Sequence, residues 1–145
     1  MDTSQLMLTG KVAVVTGAAR GIGKATALAF ADLGANVAVC DLLNDELDET
    51  VNELCSKGAD AYSEVIDVRD GEAVATFFAA VSEELGSVDV LVNNAGGGFW
   101  APFDQVSEKG ESVLIRENFG SVTNCVRASL PILNDGASIV NITSV

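Results

Sequence analysis

The densest chemical signal in the sequence is the octapeptide Thr16-Gly17-Ala18-Ala19-Arg20-Gly21-Ile22-Gly23. It follows the apolar run Val12-Ala13-Val14-Val15 and leads into a stretch with Ile22, Ala25, Leu28, Ala29 and Leu33 at helical spacing. Glycines between a strand and a helix let the backbone turn tightly and approach a pyrophosphate. The helix that follows presents free N–H groups and a partial positive charge to it. A glycine pattern alone can be a bare connection, and the strand before it and the helix behind it are what point to phosphate binding. Asp41 closes the next apolar run, 18 residues after Gly23. A carboxylate there accepts hydrogen bonds from ribose hydroxyls and repels a 2′-phosphate. Leu42 and Leu43, rather than a base, come next. Arg20 argues the other way, because its guanidinium could reach a 2′-phosphate. The expectation is a dinucleotide, NAD ahead of NADP.

Elements that would position these residues alternate along the chain. Strands are predicted at 12–16, 36–40, 61–68, 88–92 and 137–142, and helices at 22–33, 45–56, 71–85 and 107–130. Gly34, Gly58 and Gly86 stop the first three helices. The last and longest helix has Ser107 as its cap and is weakened by Gly110 and Gly120. A loop at 93–103 carries three consecutive glycines, Gly96 to Gly98. Apolar strands alternating with helices imply a parallel sheet covered on both faces, in a three-layer α/β/α arrangement. Right-handed crossovers give a doubly wound sheet ordered 3-2-1-4-5, with the ligand beyond the carboxyl ends of the first and fourth strands.

Composition narrows the remaining functions. The 145 residues, 48% of them hydrophobic, suit one domain, 1–145. No apolar run is long enough to span a bilayer, and the first 11 residues do not read as a signal peptide, so the expected location is the cytoplasm. The net charge of −13 disfavours nucleic acid and membrane surfaces as partners. It also opposes an anionic dinucleotide at long range, so local backbone donors must bind it. The acid excess fits a salt-rich habitat or ordinary acidic solubility. There is no histidine, and Cys40, Cys55 and Cys125 form no CxxC pair. No metal site and no histidine-dependent triad is expected, and the cysteines read as small buried apolar residues.

The order and spacing of five motifs resemble the short-chain dehydrogenase/reductase family, from Leu8 to Val145. They are Thr16-Gly17-x3-Gly21-x-Gly23, Asp67-Val68, Asn93-Asn94-Ala95-Gly96, Asn118, and Ile142-Thr143-Ser144. The resemblance implies a Rossmann-type fold. It also implies hydride transfer between a nicotinamide cofactor and a carbonyl or secondary alcohol, usually in a homo-oligomer. It assigns Thr16, Gly17, Arg20, Gly21, Ile22, Gly23, Asp41, Asp67, Val68, Asn94, Ala95 and Gly96 to the cofactor. Asp67 would accept from the adenine amino group, Val68 would pack on the ring, and Asn93 would bridge to the glycine turn. Ser144 would polarise the substrate oxygen, and Asn118 would play a structural and catalytic part, such as holding a water. Asn118 lies in a predicted helix interior, where asparagine is unfavourable.

The sequence departs from the family in three places. Its only tyrosine is Tyr62, with Ile66 where a Tyr-x3-Lys pair would place lysine, and the chain ends one residue after Ser144. The acid/base pair is therefore absent from these 145 residues. Glu111 and Glu117 stand where the family usually has large apolar residues. The expectation is an N-terminal fragment of a reductase. The alternatives are a truncated dinucleotide-binding protein without catalysis and an interaction protein on a reused fold. Expressed alone, the chain is expected to fold poorly or bind cofactor weakly, because the last strand becomes an edge.

Overall fold

A computed structural model describes residues 7–144. Five parallel strands form one sheet in the order β3-β2-β1-β4-β5. The elements run β1 Val12–Thr16, α1 Gly21–Asp32, β2 Asn36–Asp41, α2 Asn44–Ser56, β3 Ala61–Val65, α3 Gly71–Glu84, β4 Val88–Asn93, α4 Glu108–Ile115, α5 Ser121–Ser129 and β5 Leu133–Asn141. The sheet is buried on both faces, which is why its central strands are almost uninterruptedly apolar. On one face Val14, Ala38, Cys40 and Leu91 pack with Phe77, Phe78 and Val81 of α3 and Cys125 of α5. On the other, Val15, Val37, Val39 and Val92 pack with Ala27 and Ala31 of α1 and Leu47 and Leu54 of α2. The doubly wound, three-layer expectation holds.

Local chemistry sets the registers. Asp89 ties the foot of β1 to β4 and to the start of β5. Its carboxylate accepts from Val12 N (3.0 Å), Lys11 Nζ (2.9 Å) and Asn134 Nδ2 (3.0 Å). Asp70 caps α3 by accepting from the Glu72 and Ala73 N–H groups. Among the described residues no helix is long and apolar enough to cross a membrane.

Several expectations need correction. α1 buries Gly23, Ala27 and Ala31, while Ile22 is 63% exposed. The helix lies on the sheet chiefly through its smallest residues; of the expected face Leu28 packs at the margin of the core, while Ile22, Ala25 and Ala29 are exposed. β3 ends at Val65 instead of Val68, because Asp67 turns the chain by accepting from Arg69 N. Cys55 is exposed, and only Cys40 and Cys125 are buried. Burial pushes the Cys125 thiol up to about 12 and Cys40 well above its ordinary range, so neither is a ready nucleophile. β5 begins at Leu133, but its pairing with β4 is irregular between Val88 and Val90, and its regular ladder is Ser138 to Asn141. It forms an edge of the described sheet, with Ile139, Val140 and Ile142 partly exposed.

The predicted helix 107–130 is one unbroken helical path whose winding changes along its length. α4 passes into a π-helical turn, Arg116–Gly120, before α5, and a 3-10 turn at Leu130–Ile132 follows. Asn118 sits in the π turn. Its amide bonds both Leu114 O of α4 and the glycine loop at Gly97, and extra-wide turns of this kind recur at functional sites.

Candidate functional site

The turn between β1 and α1 is built by conformation and by close approach. Gly17 and Gly21 adopt φ of +66° and +60°, a region that side-chain-bearing residues rarely enter. At Gly23 a Cβ would sit 2.0 Å from Gly17 O, so α1 can start against the turn only with glycine there. At Gly21 a Cβ would meet nothing within 4 Å. These two glycines therefore predict different losses. Gly23→Ala should lower stability by about 3 kcal/mol through a backbone clash. Gly21→Ala should cost about 1–2 kcal/mol through strain alone. Thermal unfolding of the two variants checks this, and equal losses would contradict the packing argument.

Side chains from other elements hold the turn. Asn94 Nδ2 donates to Thr16 O (3.1 Å) and Gly17 O (2.9 Å). Thr16 Oγ1 accepts from Asn94 N (3.1 Å) and Ala95 N (3.0 Å). The bridge from β4 to the turn is thus made by Asn94, correcting the expectation for Asn93. Asn93 Nδ2 instead donates to Asn141 Oδ1 (2.9 Å), tying β4 to β5. The two are registered partners in the parallel ladder, so their side chains share one face of the sheet. Thr50 of α2 is fully buried, with Oγ1 3.1–3.2 Å from the carbonyls of Ala18, Ala19 and Glu46. Sequence reasoning missed Thr50, and its signal was a hydroxyl on the apolar face of α2.

Asp41 lies at the carboxyl end of β2. Its Oδ2 accepts from Ala19 N (2.9 Å), and its Oδ1 from Leu42 N (2.7 Å) and Leu43 N (3.2 Å). The carboxylate anchors the glycine turn while bordering a cavity of about 330 Å³. Of the residues named from sequence, Gly17, Arg20, Asp41, Asp67, Val68, Asn94, Ala95 and Gly96 line this cavity. Thr16, Gly21, Ile22, Gly23, Asn118 and Ser144 do not. Thr16 and Gly23 act by shaping the turn, and Gly21 leads α1. Arg20, at the N-cap of α1, makes no side-chain cap bond, and the first turn holds no acid. The leading N–H groups of a 12-residue helix and the open face of Gly21 together leave a cradle that fits a pyrophosphate.

The far wall carries two residues that the sequence reading did not place there, Arg69 and Glu117. Arg69 Nε and NH2 reach the Asp67 carboxylate at 2.7–3.0 Å, and Arg69 NH1 reaches Glu117 Oε1 at 3.4 Å. The Arg69 guanidinium holds the Asp67 carboxyl below the usual carboxylate range. Glu117 was flagged as an acid in an apolar position, and Arg69 is its partner.

Asn118 binds the glycine loop from both ends of its amide. Nδ2 donates to Gly97 O (2.7 Å) and Leu114 O (3.0 Å), and Oδ1 accepts from Gly97 N (3.2 Å). A Cβ at Gly96 would stand 2.7 Å from Asn118 Oδ1. Asn118 therefore clamps the glycine loop at Gly97. Ser144 follows β5 by three residues and is exposed. Among the described residues no group of three or more His, Cys, Asp or Glu side chains is arranged to hold a metal ion.

Fold and turn together define a Rossmann-type α/β domain. The chain belongs to the short-chain dehydrogenase family, whose profile, described as short chain dehydrogenase, matches residues 11–145. It is 38% identical to the oxidoreductase UcpA of Escherichia coli K12 over 95% of its own length and 53% of that protein. An alcohol dehydrogenase from the archaeon Thermococcus sibiricus, solved with 5-hydroxy-NADP, superimposes with a TM-score of 0.87 at 35% identity, covering 92% of this chain and 58% of that one. A short chain dehydrogenase from Mycobacterium paratuberculosis, solved with NAD, superimposes with a TM-score of 0.91 at 29% identity, covering 94% and 56%. The chain thus spans 53–58% of the length of these three proteins.

Proposed function

We propose that this chain is the dinucleotide-binding part of an NAD(H)-preferring oxidoreductase that interconverts a carbonyl and a secondary alcohol. The observation that carries the reading is one cavity bordered by the glycine turn, Asp41, Asp67-Val68 and Asn94-Ala95-Gly96. The N–H groups leading α1 bind the pyrophosphate. Asp41 accepts from the adenosine ribose hydroxyls, Asp67 accepts from the adenine amino group, and Val68 packs on the base. Asn118 holds the loop at Gly97, and Ser144 donates to the substrate oxygen. When bound, the nicotinamide gives or takes the hydride. The small-molecule substrate and the homo-oligomer follow from the same resemblance, and the cytoplasmic setting expected from the sequence belongs to this reading with them. Related proteins solved with NAD and with 5-hydroxy-NADP support a nicotinamide dinucleotide.

Titration calorimetry tests the reading. All the named cavity contacts lie on the adenosine and pyrophosphate side. ADP-ribose should therefore displace NAD fully, whereas nicotinamide mononucleotide should compete poorly. No heat with either NAD or ADP-ribose at millimolar concentration, from a chain that circular dichroism and cooperative unfolding show to be folded, would overturn the proposal and favour an interaction protein on the same fold.

A further inference from the structure

Asp67 receives four contacts from one neighbour. Arg69 N donates to Oδ1 (2.9 Å), Nε lies 2.9 Å from Oδ1 and 3.0 Å from Oδ2, and NH2 donates to Oδ2 (2.7 Å). The unused arm of the guanidinium, NH1, reaches Glu117 Oε1 (3.4 Å), 48 residues away in the π turn. Glu117 is itself seated beneath the glycine loop, where a Cβ on Gly97 would lie 3.0 Å from its carboxyl carbon. The next residue, Asn118, grips that loop from both ends of its amide. A planar guanidinium with two faces of its fork in use is held in one orientation, and it holds the carboxylate in turn. Arg116 adds a second positive charge near Asp67.

We propose that Glu117 and Arg69 form a brace that positions the Asp67 carboxylate and makes the cavity selective for a base carrying an amino group over one carrying an oxo group. The inference rests on the dinucleotide reading above. An ionised carboxylate only accepts hydrogen bonds, and its two oxygens offer about four lone-pair directions. Arg69 takes three of them, because Nε is shared between the oxygens. The remaining direction, on Oδ2, suits an N–H donor such as the amino group of adenine. A carbonyl in the same place would face an acceptor with another acceptor. If the brace is cut, the carboxylate rotates and the preference falls. Arg69 and Glu117 are therefore positioning residues, acting through Asp67.

The experiment compares NAD with nicotinamide hypoxanthine dinucleotide, whose base carries a 6-oxo group and N1–H in place of the 6-amino group and unprotonated N1 of adenine. Dissociation constants are measured by calorimetry for the wild-type chain and for Arg69→Leu, Glu117→Ala and Glu117→Gln. The wild type should prefer NAD by about tenfold or more, the value of one good polar contact. Arg69→Leu and Glu117→Ala should bring the ratio to about threefold or less. Glu117→Gln, whose amide oxygen still accepts from the guanidinium, should keep most of it. A variant that merely loosens the fold weakens both ligands alike and leaves the ratio unchanged, which would overturn the brace. Equal wild-type affinities would overturn it too while leaving the dinucleotide reading intact. No binding of either ligand would sink that reading first. Circular dichroism identifies any variant that fails to fold, and Glu117→Gln, nearly isosteric, then carries the comparison with Arg69→Lys.

Discussion

Ser144→Ala should lower the rate of hydride transfer by about 10²–10³-fold in a form of the protein that turns over, with little change in NAD affinity. That is the usual effect of removing one donor aimed at developing charge on oxygen. Asn141 ends β5 opposite Asn93, and Ile142 N donates to Asn93 O (2.9 Å). Ser144 therefore emerges at the same edge of the sheet as Asn94-Ala95-Gly96, where the crevice of a doubly wound sheet lies. It does not line the cavity bordered by Asp41 and Asp67, so on the proposed reading its loss should leave dinucleotide binding alone. Stopped-flow measurement of nicotinamide absorbance with a panel of ketones and secondary alcohols gives the rate, and calorimetry gives the affinity. Unchanged turnover would remove Ser144 from the mechanism. A parallel loss of NAD affinity would make it a structural residue at the end of β5.

What the sequence disclosed follows from which interactions are local. Strand order, the two-faced sheet and the glycine turn all rest on patterns within a few residues, and the structure reproduces them. Asp41 was legible as a site residue because a strand end places it, although its grip on Ala19 N was not. The misreadings came from interactions distant in sequence. Asn93 and Asn94 are adjacent and chemically identical; Asn93 is the last residue of β4 and pairs with Asn141, and Asn94, just past the strand, reaches the turn. Periodicity continued the last helix through Asn118 without its change of winding, because no pattern in the chain reveals that its amide bonds Gly97, 21 residues earlier. Glu117 looked misplaced until Arg69, 48 residues earlier in the chain, supplied its counter-charge. α1 was assigned its larger apolar face, but the need for close approach at Gly23 chose the small one.

Asp41→Asn and Asp41→Ala should both move dinucleotide preference toward NADP, and Asp41→Ala should weaken NAD by about 10–100-fold. A charged acceptor lost from a hydroxyl pair costs about 1.5–3 kcal/mol, and each 1.4 kcal/mol is tenfold. The two substitutions separate two duties of the same carboxylate. Oδ2 anchors the glycine turn through Ala19 N, and Oδ1 receives Leu42 N and Leu43 N. Alanine removes that anchor and should loosen the pyrophosphate cradle for both cofactors equally. Asparagine keeps one acceptor and removes the charge that repels a 2′-phosphate, while its NH2 gives up one of the two sets of backbone N–H bonds, to Ala19 or to Leu42 and Leu43. The ratio of NADP to NAD affinity isolates the ribose interaction, and it should rise in both variants. Arg20, which borders the same cavity, supplies the cross-check. Arg20→Ala in the Asp41→Asn background should abolish the gain in NADP affinity while leaving NAD nearly untouched. Calorimetric titration of the two cofactors against each variant reads all of this. A wild-type chain that already binds NADP more tightly would show that Arg20 outweighs Asp41, and the NAD preference would then be wrong.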